Sequence, residues 1–262
     1  MSAPISGLYA ILDWPQPHGL APELAAAAMI RGGARILQLR AKHADTSERL
    51  DLLTRLAPVC AEARVPLIVN DDLDLALRLA PIQPPGTPPP PAASPAASVA
   101  GIHLGQTDLQ RLTERGELSQ LRARTRAAGL LLGLSTHDLA QVDAAIALVP
   151  DYLGFGPVFP THSKQDPDPT VGLATLTQAV TRAAPLPLVA IGGIDLERVP
   201  AVVHTEVAAI AMISALVAPS PDEIEAQTRH IASAIAPEHP LNAEATNLAN
   251  KPAPPPTPTP PD

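Results

Sequence analysis

Apolar residues along this chain gather in eight short runs, at 8–12, 36–39, 67–70, 100–103, 131–134, 151–154, 188–191 and 208–213. Runs of this length bounded by turn residues read as buried strands. Between them the apolar spacing changes to three and four residues, predicting helices over 22–31, 46–64, 72–80, 109–128, 137–148, 172–183, 196–204 and 220–236. Asp45 and Thr46 give the second of these an acidic start, and Pro221, Asp222 and Glu223 open the last with the favoured proline and charges. Strands alternating with helices predict parallel pairing through right-handed crossovers. Eight such units close naturally into a single (β/α)8 TIM barrel. A doubly wound open sheet is the alternative, but ILDWPQP (11–17) stands where its Gly-rich dinucleotide turn would follow the first strand.

The polar residues support closure, because those of chemical interest crowd at the C-terminal ends of the runs, where barrels build active sites. Gln38, Arg40 and Lys42 follow RIL (35–37), Asn70 and Asp71 follow PLIV (66–69), and His103 to Asp108 follow AGI (100–102). Ser135 follows the fifth, Thr161 to Lys164 lie beyond the sixth, Gly192 and Gly193 close the seventh, and Ser214 closes the eighth.

Composition narrows this picture. Apolar residues make up 46% of the chain but aromatics only 2%, so Ala, Leu and Val are expected to fill the interior. Cys60 is the one cysteine, which excludes an intramolecular disulfide framework and a cysteine zinc cluster. Set among leucines on a helix, it reads as a buried structural thiol. A net charge of -8 with no basic stripe argues against nucleic acid, so an anionic substrate requires a locally basic pocket. The N-terminus MSAPISGLYAILD lacks a basic signal-peptide region, and no apolar run is long enough to span a bilayer. The expectation is a soluble cytoplasmic protein with no membrane partner, for which a homo-oligomer is compatible.

Proline crowds into 81–98 and into 237–262. Neither stretch has periodic apolar residues to offset chain entropy. The reading is a catalytic barrel over 1–236 with a flexible insertion at 81–98, followed by a disordered tail at 237–262. Docking of a proline-reading domain is the alternative use of these segments.

In QLRAK (38–42), Gln38, Arg40 and Lys42 occupy alternate positions and share one face of an extended strand end. An amide, a guanidinium fork and an ammonium suit a polyanion such as a diphosphate; the plainer reading is a solvated strand end. Asp71 and Asp108 follow neighbouring strands and together suit Mg²⁺, which takes one or two carboxylates with phosphate oxygens and water. Otherwise each caps a helix, as Asp72 is expected to do. His103 reads as a packed strand residue, and Ser135 or Thr136 as a helix cap. GFGPVFPTHSK (154–164) offers Thr161, Ser163 and Lys164 on a Gly- and Pro-fixed loop, either a flap over a phosphorylated ligand or an exposed loop. IGGI (191–194) and MIS (212–214) stand where barrels cradle phosphate with backbone N–H groups; tight turns are the alternative.

Taken together, QLRAK, VNDD, GIHLGQTD, GLSTH, GPVFPTHSK, VGL (171–173), AIGGI and MISAL resemble thiamine phosphate synthase, over about Leu8 to Ala236. The resemblance implies a (β/α)8 transferase. It would join 4-amino-2-methyl-5-(diphosphooxymethyl)pyrimidine to a thiazole phosphate, with Mg²⁺ and loss of diphosphate. By position, Gln38, Arg40, Lys42, Asn70, Ser135 and Lys164 would hold the pyrimidine diphosphate. Arg40, Lys42 and Lys164 would stabilise the leaving group, and Asp71 and Asp108 would ligate Mg²⁺. Thr161, Ser163, Gly193, Ile213 and Ser214 would hold the thiazole phosphate. The chain departs from the family pattern at Ala41, at Thr107 and in HTEVAA (204–209), where the family has a glycine-containing string. A thiazole tautomerase with His137 as proton shuttle, and a non-catalytic phosphate-binding protein, are the competing readings.

Overall fold

The computed structural model describes residues 5–81, 98–161 and 168–236. Strands β1 Gly7–Asp13, β2 Ile36–Arg40, β3 Leu67–Asn70, β4 Gly101–Leu104, β5 Leu131–Thr136, β6 Tyr152–Phe155, β7 Leu188–Ile191 and β8 Ala209–Met212 form a closed parallel barrel in chain order. Closure comes from β8 returning to β1, with Gly7 opposite Ala209 and Ala10 opposite Met212. The open sheet is thereby excluded. The helices are α1 Pro22–Arg31, α2 Thr46–Ala63, α3 Leu73–Arg78, α4 Gln106–Glu114, α5 Leu121–Ala127, α6 Leu139–Ile146, α7 Gly172–Ala183, α8 Val199–Val203 and α9 Pro221–Ile235. The last packs on the first, α9 against α1.

Side-chain alternation divides the apolar residues into two bodies. On β1, Leu8, Ala10 and Leu12 face the helical shell, while Tyr9 and Ile11 enter the lumen. The shell between barrel and helices is built of Leu, Ala and Val, as composition leads one to expect. The lumen is different. Ile11, Ile36, Ile68 and Val189 are joined there by Tyr9 and Tyr152, the two tyrosines of the chain. Scarcity of aromatics across the whole sequence says nothing about where the few are placed.

Local chemistry explains most element boundaries. The carboxylates of Asp45, Asp72 and Asp138 accept from the backbone N–H groups of Glu48, Leu75 and Gln141, capping α2, α3 and α6. The α6 cap is therefore Asp138, and neither Ser135 nor Thr136 serves; the Thr136 hydroxyl turns inward and donates to Gly154 O at 2.8 Å. The helix expected over 109–128 is broken. Gly116 takes φ +71°, Gly116 N donates to Thr113 O and Glu117 N to Leu112 O, which ends α4 in a left-handed cap. A short 3-10 turn, Leu118–Gln120, then leads into α5. Helix α8 is shorter than the apolar pattern suggests, because Pro200 in its first turn confines it to the C-terminal part of 196–204.

Expectations for the proline-rich segment and the tail fall on 82–97 and 237–262, outside the described residues. The flanks of the former meet: Val99 N donates to Leu79 O at 3.1 Å, just before β4. These flanks therefore lie at the N-terminal end of the barrel, away from the strand ends near Asp71 and Asp108.

Two tests follow from the packing. Cys60 is buried on α2, and that burial pushes its thiol up to about 12. The folded protein is expected to leave Ellman-type reagents unreacted at pH 8, with full reaction after denaturation. A raised thiol pKa contributes stability that is present below the ordinary value of 9.0 and lost as pH climbs towards about 12. The second concerns HTEVAA, where Glu206 occupies the left-handed region at φ 62°. A left-handed non-glycine residue costs about 1–2 kcal/mol. Glu206→Gly is expected to offset part of that strain and shift the urea midpoint upward.

Candidate active site

All strand C-termini open on one cavity of about 900 Å³, a size suited to small-molecule ligands. Of the residues singled out above, Gln38, Arg40, Lys42, Asn70, Asp71, Asp108, Ser135, Thr161, Gly193, Ile213 and Ser214 line it. Ser163 and Lys164 lie outside the described residues.

The basic side is built on β2 and α2. Arg40, at the end of β2, donates through Nη1 to both carboxylate oxygens of Asp13, at 2.6 and 2.7 Å. Asp13 ends β1 and pairs with Arg40 in the ladder, so backbone register places this ion pair. The pair spends one nitrogen of the guanidinium and leaves the rest of its donor fork for a ligand. Arg49 reaches the cavity from α2, held by Asp72 Oδ2 at 2.5 Å and by Ala44 O. Arg111 and Arg115 add cations from α4 and the residue following it. Sequence reasoning missed Asp13, Arg49, Arg111 and Arg115. Helical arginines carry no motif, and only the placement of the first turns of α2 and α4 beside the strand ends brings Arg49 and Arg111 to the cavity border. The cavity is not basic as a whole, since carboxylates as well as these cations line it; what it offers an anionic ligand is a basic sector at Arg40, Lys42 and Arg49.

Beside the cations stand two carboxylates. Asp71 follows β3 with φ 66°, a left-handed turn that Asp tolerates better than most side chains. Its N–H is fixed on His103 O at 2.9 Å. Asp108 lies in the first turn of α4, where Oδ2 accepts from Gly105 N at 3.0 Å. It therefore caps its helix and faces the cavity as well. The two carboxyl groups are close enough to hydrogen-bond, and burial, followed by the charge of Asp108, pushes Asp71 up to about 6 against an opposing pull from Lys42. Paired, partly desolvated carboxylates are costly without a cation between them. Among the described residues no cluster of three or more His, Cys, Asp or Glu side chains could hold a metal. A two-carboxylate, all-oxygen site fits a hard cation that completes its shell with phosphate oxygens and water.

The floor of the cavity is polar, and beyond Gln38 and Ser135 its members were not anticipated. His103 is no mere packing residue. Its Nδ1 lies 3.1 Å from Tyr152 Oη and its Nε2 2.9 Å from Ser135 Oγ. The two tyrosine hydroxyls are 2.9 Å apart, and Gln38 Nε2 donates to Tyr9 Oη at 2.7 Å. Burial raises the pKa of both phenols, so they stay protonated through the neutral range. The inward register of residues 9, 38, 103, 135 and 152 could have flagged this set, but single polar residues inside apolar runs carry little signal.

On the far side, Gly192 and Gly193 have φ of 99° and 63°. Added Cβ atoms there would strike Pro157 and the carbonyls of Phe159 and Pro160, so the glycines admit the β6 loop against the β7 loop. Val158 N and Phe159 N donate to Ile191 O and Gly192 O, sealing that contact. The close approach for which these glycines are needed is thus between two backbone segments. Arg198 braces the turn by donating to Gly193 O while lying 4.9 Å over the Phe159 ring. His137 is fixed through Nδ1 on Gly156 O, and its Nε2 is 3.5 Å from Asp168. Both nitrogens of the residue considered as a proton shuttle face protein partners.

Comparison with known proteins decides the family. The family model described as Thiamine monophosphate synthase matches residues 8–216. The chain belongs to the thiamine monophosphate synthase family. It is 38% identical over 189 residues to the thiamine-phosphate synthase of Salmonella typhimurium, covering 72% of this chain and 77% of that one. It is 37% identical over 215 residues to that of Escherichia coli strain K12, covering 80% and 84%. A solved thiamine phosphate pyrophosphorylase from Pyrococcus furiosus superposes with TM-score 0.66 at 27% identity, covering 88% of this chain and 97% of its own. An aldolase structure, at TM-score 0.60 and 16% identity, shares the fold alone.

Proposed function

We propose that the chain condenses a pyrimidinylmethyl diphosphate with a thiazole phosphate, forming thiamine phosphate and releasing diphosphate. The observation that carries this reading is one cavity mouth holding Arg40 at the end of β2 and Lys42 just beyond it, beside the paired carboxylates Asp71 and Asp108. A tautomerase has no need of that diphosphate apparatus, and a binding module has no need of a carboxylate pair poised for a cation. Family membership agrees with the coupling reaction.

In this reading Asp71 and Asp108 hold Mg²⁺, which when bound supplies positive charge to the departing diphosphate. Arg40 and Lys42 bind the same group from the β2 side, joined by Lys164 from the loop after β6. Asn70 and Ser135 orient the pyrimidine diphosphate with Gln38. Departure of diphosphate leaves a pyrimidine methylene cation, and the fixed cations stabilise the leaving group as its charge grows. The thiazole nitrogen then attacks the methylene carbon, held close by its phosphate on Thr161, Ser163 and the backbones of Gly193, Ile213 and Ser214. No protein nucleophile is needed. Among the described residues no helix is long and apolar enough to cross a membrane, and we place the protein in the cytoplasm with small phosphorylated molecules as its partners. The barrel with its 81–98 insertion is the catalytic unit in this scheme, with 237–262 dispensable.

The test is a product assay on the purified full chain with both substrates, in Mg²⁺ and in excess chelator. Equal amounts of thiamine phosphate and diphosphate, formed only with Mg²⁺, are expected. Isomerised thiazole phosphate without coupling would shift the assignment to a tautomerase.

A further inference from the structure

Gln38 on β2 and Ser135 on β5 are the two ends of one hydrogen-bonded chain that crosses the barrel. It runs Gln38 Nε2, Tyr9 Oη, Tyr152 Oη, His103, Ser135 Oγ, with successive separations of 2.7, 2.9, 3.1 and 2.9 Å. Tyr9 and Tyr152 are buried and Gln38 is 3% exposed, while all five residues border the cavity. Each hydroxyl, and a neutral imidazole, carries one donor. The chain therefore points one way or the other as a whole. With the Gln38 amide donating to Tyr9, Tyr9 donates to Tyr152 and Tyr152 to His103 Nδ1, and His103 Nε2–H donates to Ser135. The Ser135 proton is then left for the cavity, and Gln38 keeps its acceptor, Oε1.

Backbone glycines confirm that the fold makes room for this chain. A Cβ on Gly133 would collide with the Tyr152 hydroxyl end and lie 2.6 Å from His103 Nδ1, and one on Gly154 would lie 3.2 Å from His103 Cε1. The His103 ring stacks on Tyr152 at 5.5 Å between centroids. Both tyrosines of an aromatic-poor chain are spent here, where phenylalanine would fill the same volume.

We propose that His103, acting with Tyr152 and Tyr9, is a positioning residue that fixes the hydrogen-bond sense of Gln38 and Ser135, and so selects an amino-substituted pyrimidine over its oxo analogue. An aminopyrimidine offers an amine donor and a ring-nitrogen acceptor, the complement of Gln38 Oε1 and the Ser135 hydroxyl proton. Its oxo tautomer offers a carbonyl acceptor and a ring N–H, the inverse pattern. Sites built on hydrogen bonds discriminate strongly because a mismatch leaves buried groups unpaired. The proposal rests on the function above in that both ends face the pyrimidine.

Two readouts test it. ¹⁵N NMR of the histidine-labelled full chain, with the His103 signals identified by their loss in His103→Asn, is expected to show the Nε2–H tautomer. An Nδ1–H tautomer would reverse the chain and overturn the proposal. The ratio of kcat/KM for the amino and oxo pyrimidine diphosphates is expected to exceed about 10² in the wild type and to narrow at least about tenfold in Tyr152→Phe. KM for thiazole phosphate is expected to stay unchanged. Tyr9→Phe, which leaves the His103 contacts in place, should narrow the ratio likewise, and the double variant should do no more than Tyr152→Phe alone. An unchanged ratio in either folded variant contradicts the proposal. If the wild type fails to couple its substrates, the proposed function falls. The tautomer, and the ratio of dissociation constants for the two pyrimidine diphosphates, still decide the role of His103.

Discussion

Asp71→Asn is expected to lower Mg²⁺-dependent coupling by about 10²–10³-fold, the scale on which a group stabilising developing charge is felt, without unfolding the protein. Asparagine keeps the size of aspartate and its tolerance of the left-handed turn at φ 66°, so the strand exit survives. What is lost is one of the two charges proposed to hold the cation. The stability effect has the opposite sign. Burial and Asp108 push Asp71 up to about 6 from 3.8, so its protonated form is the better folded one. That contribution is fully present below pH 3.8 and lost as pH rises through about 6. At pH 7 the metal-free wild type carries a charge penalty of order 3 kcal/mol at most, which Asn removes. Thermal melts in chelator should place the variant above the wild type, and added Mg²⁺ should raise the wild type alone. Near-normal turnover in Asp71→Asn would take this residue out of the metal site.

Arg40→Lys is expected to cut kcat/KM for the pyrimidine diphosphate by about 10²-fold, because a lysine cannot hold Asp13 and a phosphate at once with fixed geometry. Arg40 is partly buried and its Nη1 is committed to both Asp13 oxygens. Removing the fork also leaves Asp13 without its partner. Asp13→Asn should give a smaller loss in the same parameter, about tenfold, through a looser Arg40. Steady-state kinetics with either substrate varied check both variants. A loss confined to KM for thiazole phosphate would place Arg40 on the wrong substrate.

How much of this was legible beforehand depended on whether a residue announced itself locally. The barrel was readable because each strand is a short apolar run and each helix restores the longer spacing; even Pro58 within α2 did not mislead, as Leu52, Leu53, Leu56 and Cys60 keep its buried face continuous. Gln38, Arg40, Lys42, Asp71 and Asp108 were readable as polar residues in the segments at and just beyond the ends of such runs. Gly116 was not read as the break in the expected 109–128 helix, because one glycine is tolerated in many helices and only its φ of +71° marks the stop. Tyr9 and Tyr152 were invisible, and His103 was legible only as a packed strand residue, for a different reason. Each sits inside an apolar run, and their significance lies in distances across the lumen, between strands far apart in sequence. Arg49 and Asp13 likewise gain meaning only from β1–β2 register and the path of α2.

One measurement reaches the central claim most directly, namely that a single cavity mouth holds both substrates face to face around a cation. It is a crystal structure of the full chain with Mg²⁺, the pyrimidine diphosphate and an unreactive thiazole phosphate analogue. The account predicts the metal between Asp71 and Asp108, the diphosphate on Arg40 and Lys42, the pyrimidine between Gln38 and Ser135, and the second phosphate at Gly193 and Ser214. A diphosphate bound away from Arg40 and Lys42, or a metal that leaves both carboxylates untouched, would contradict it.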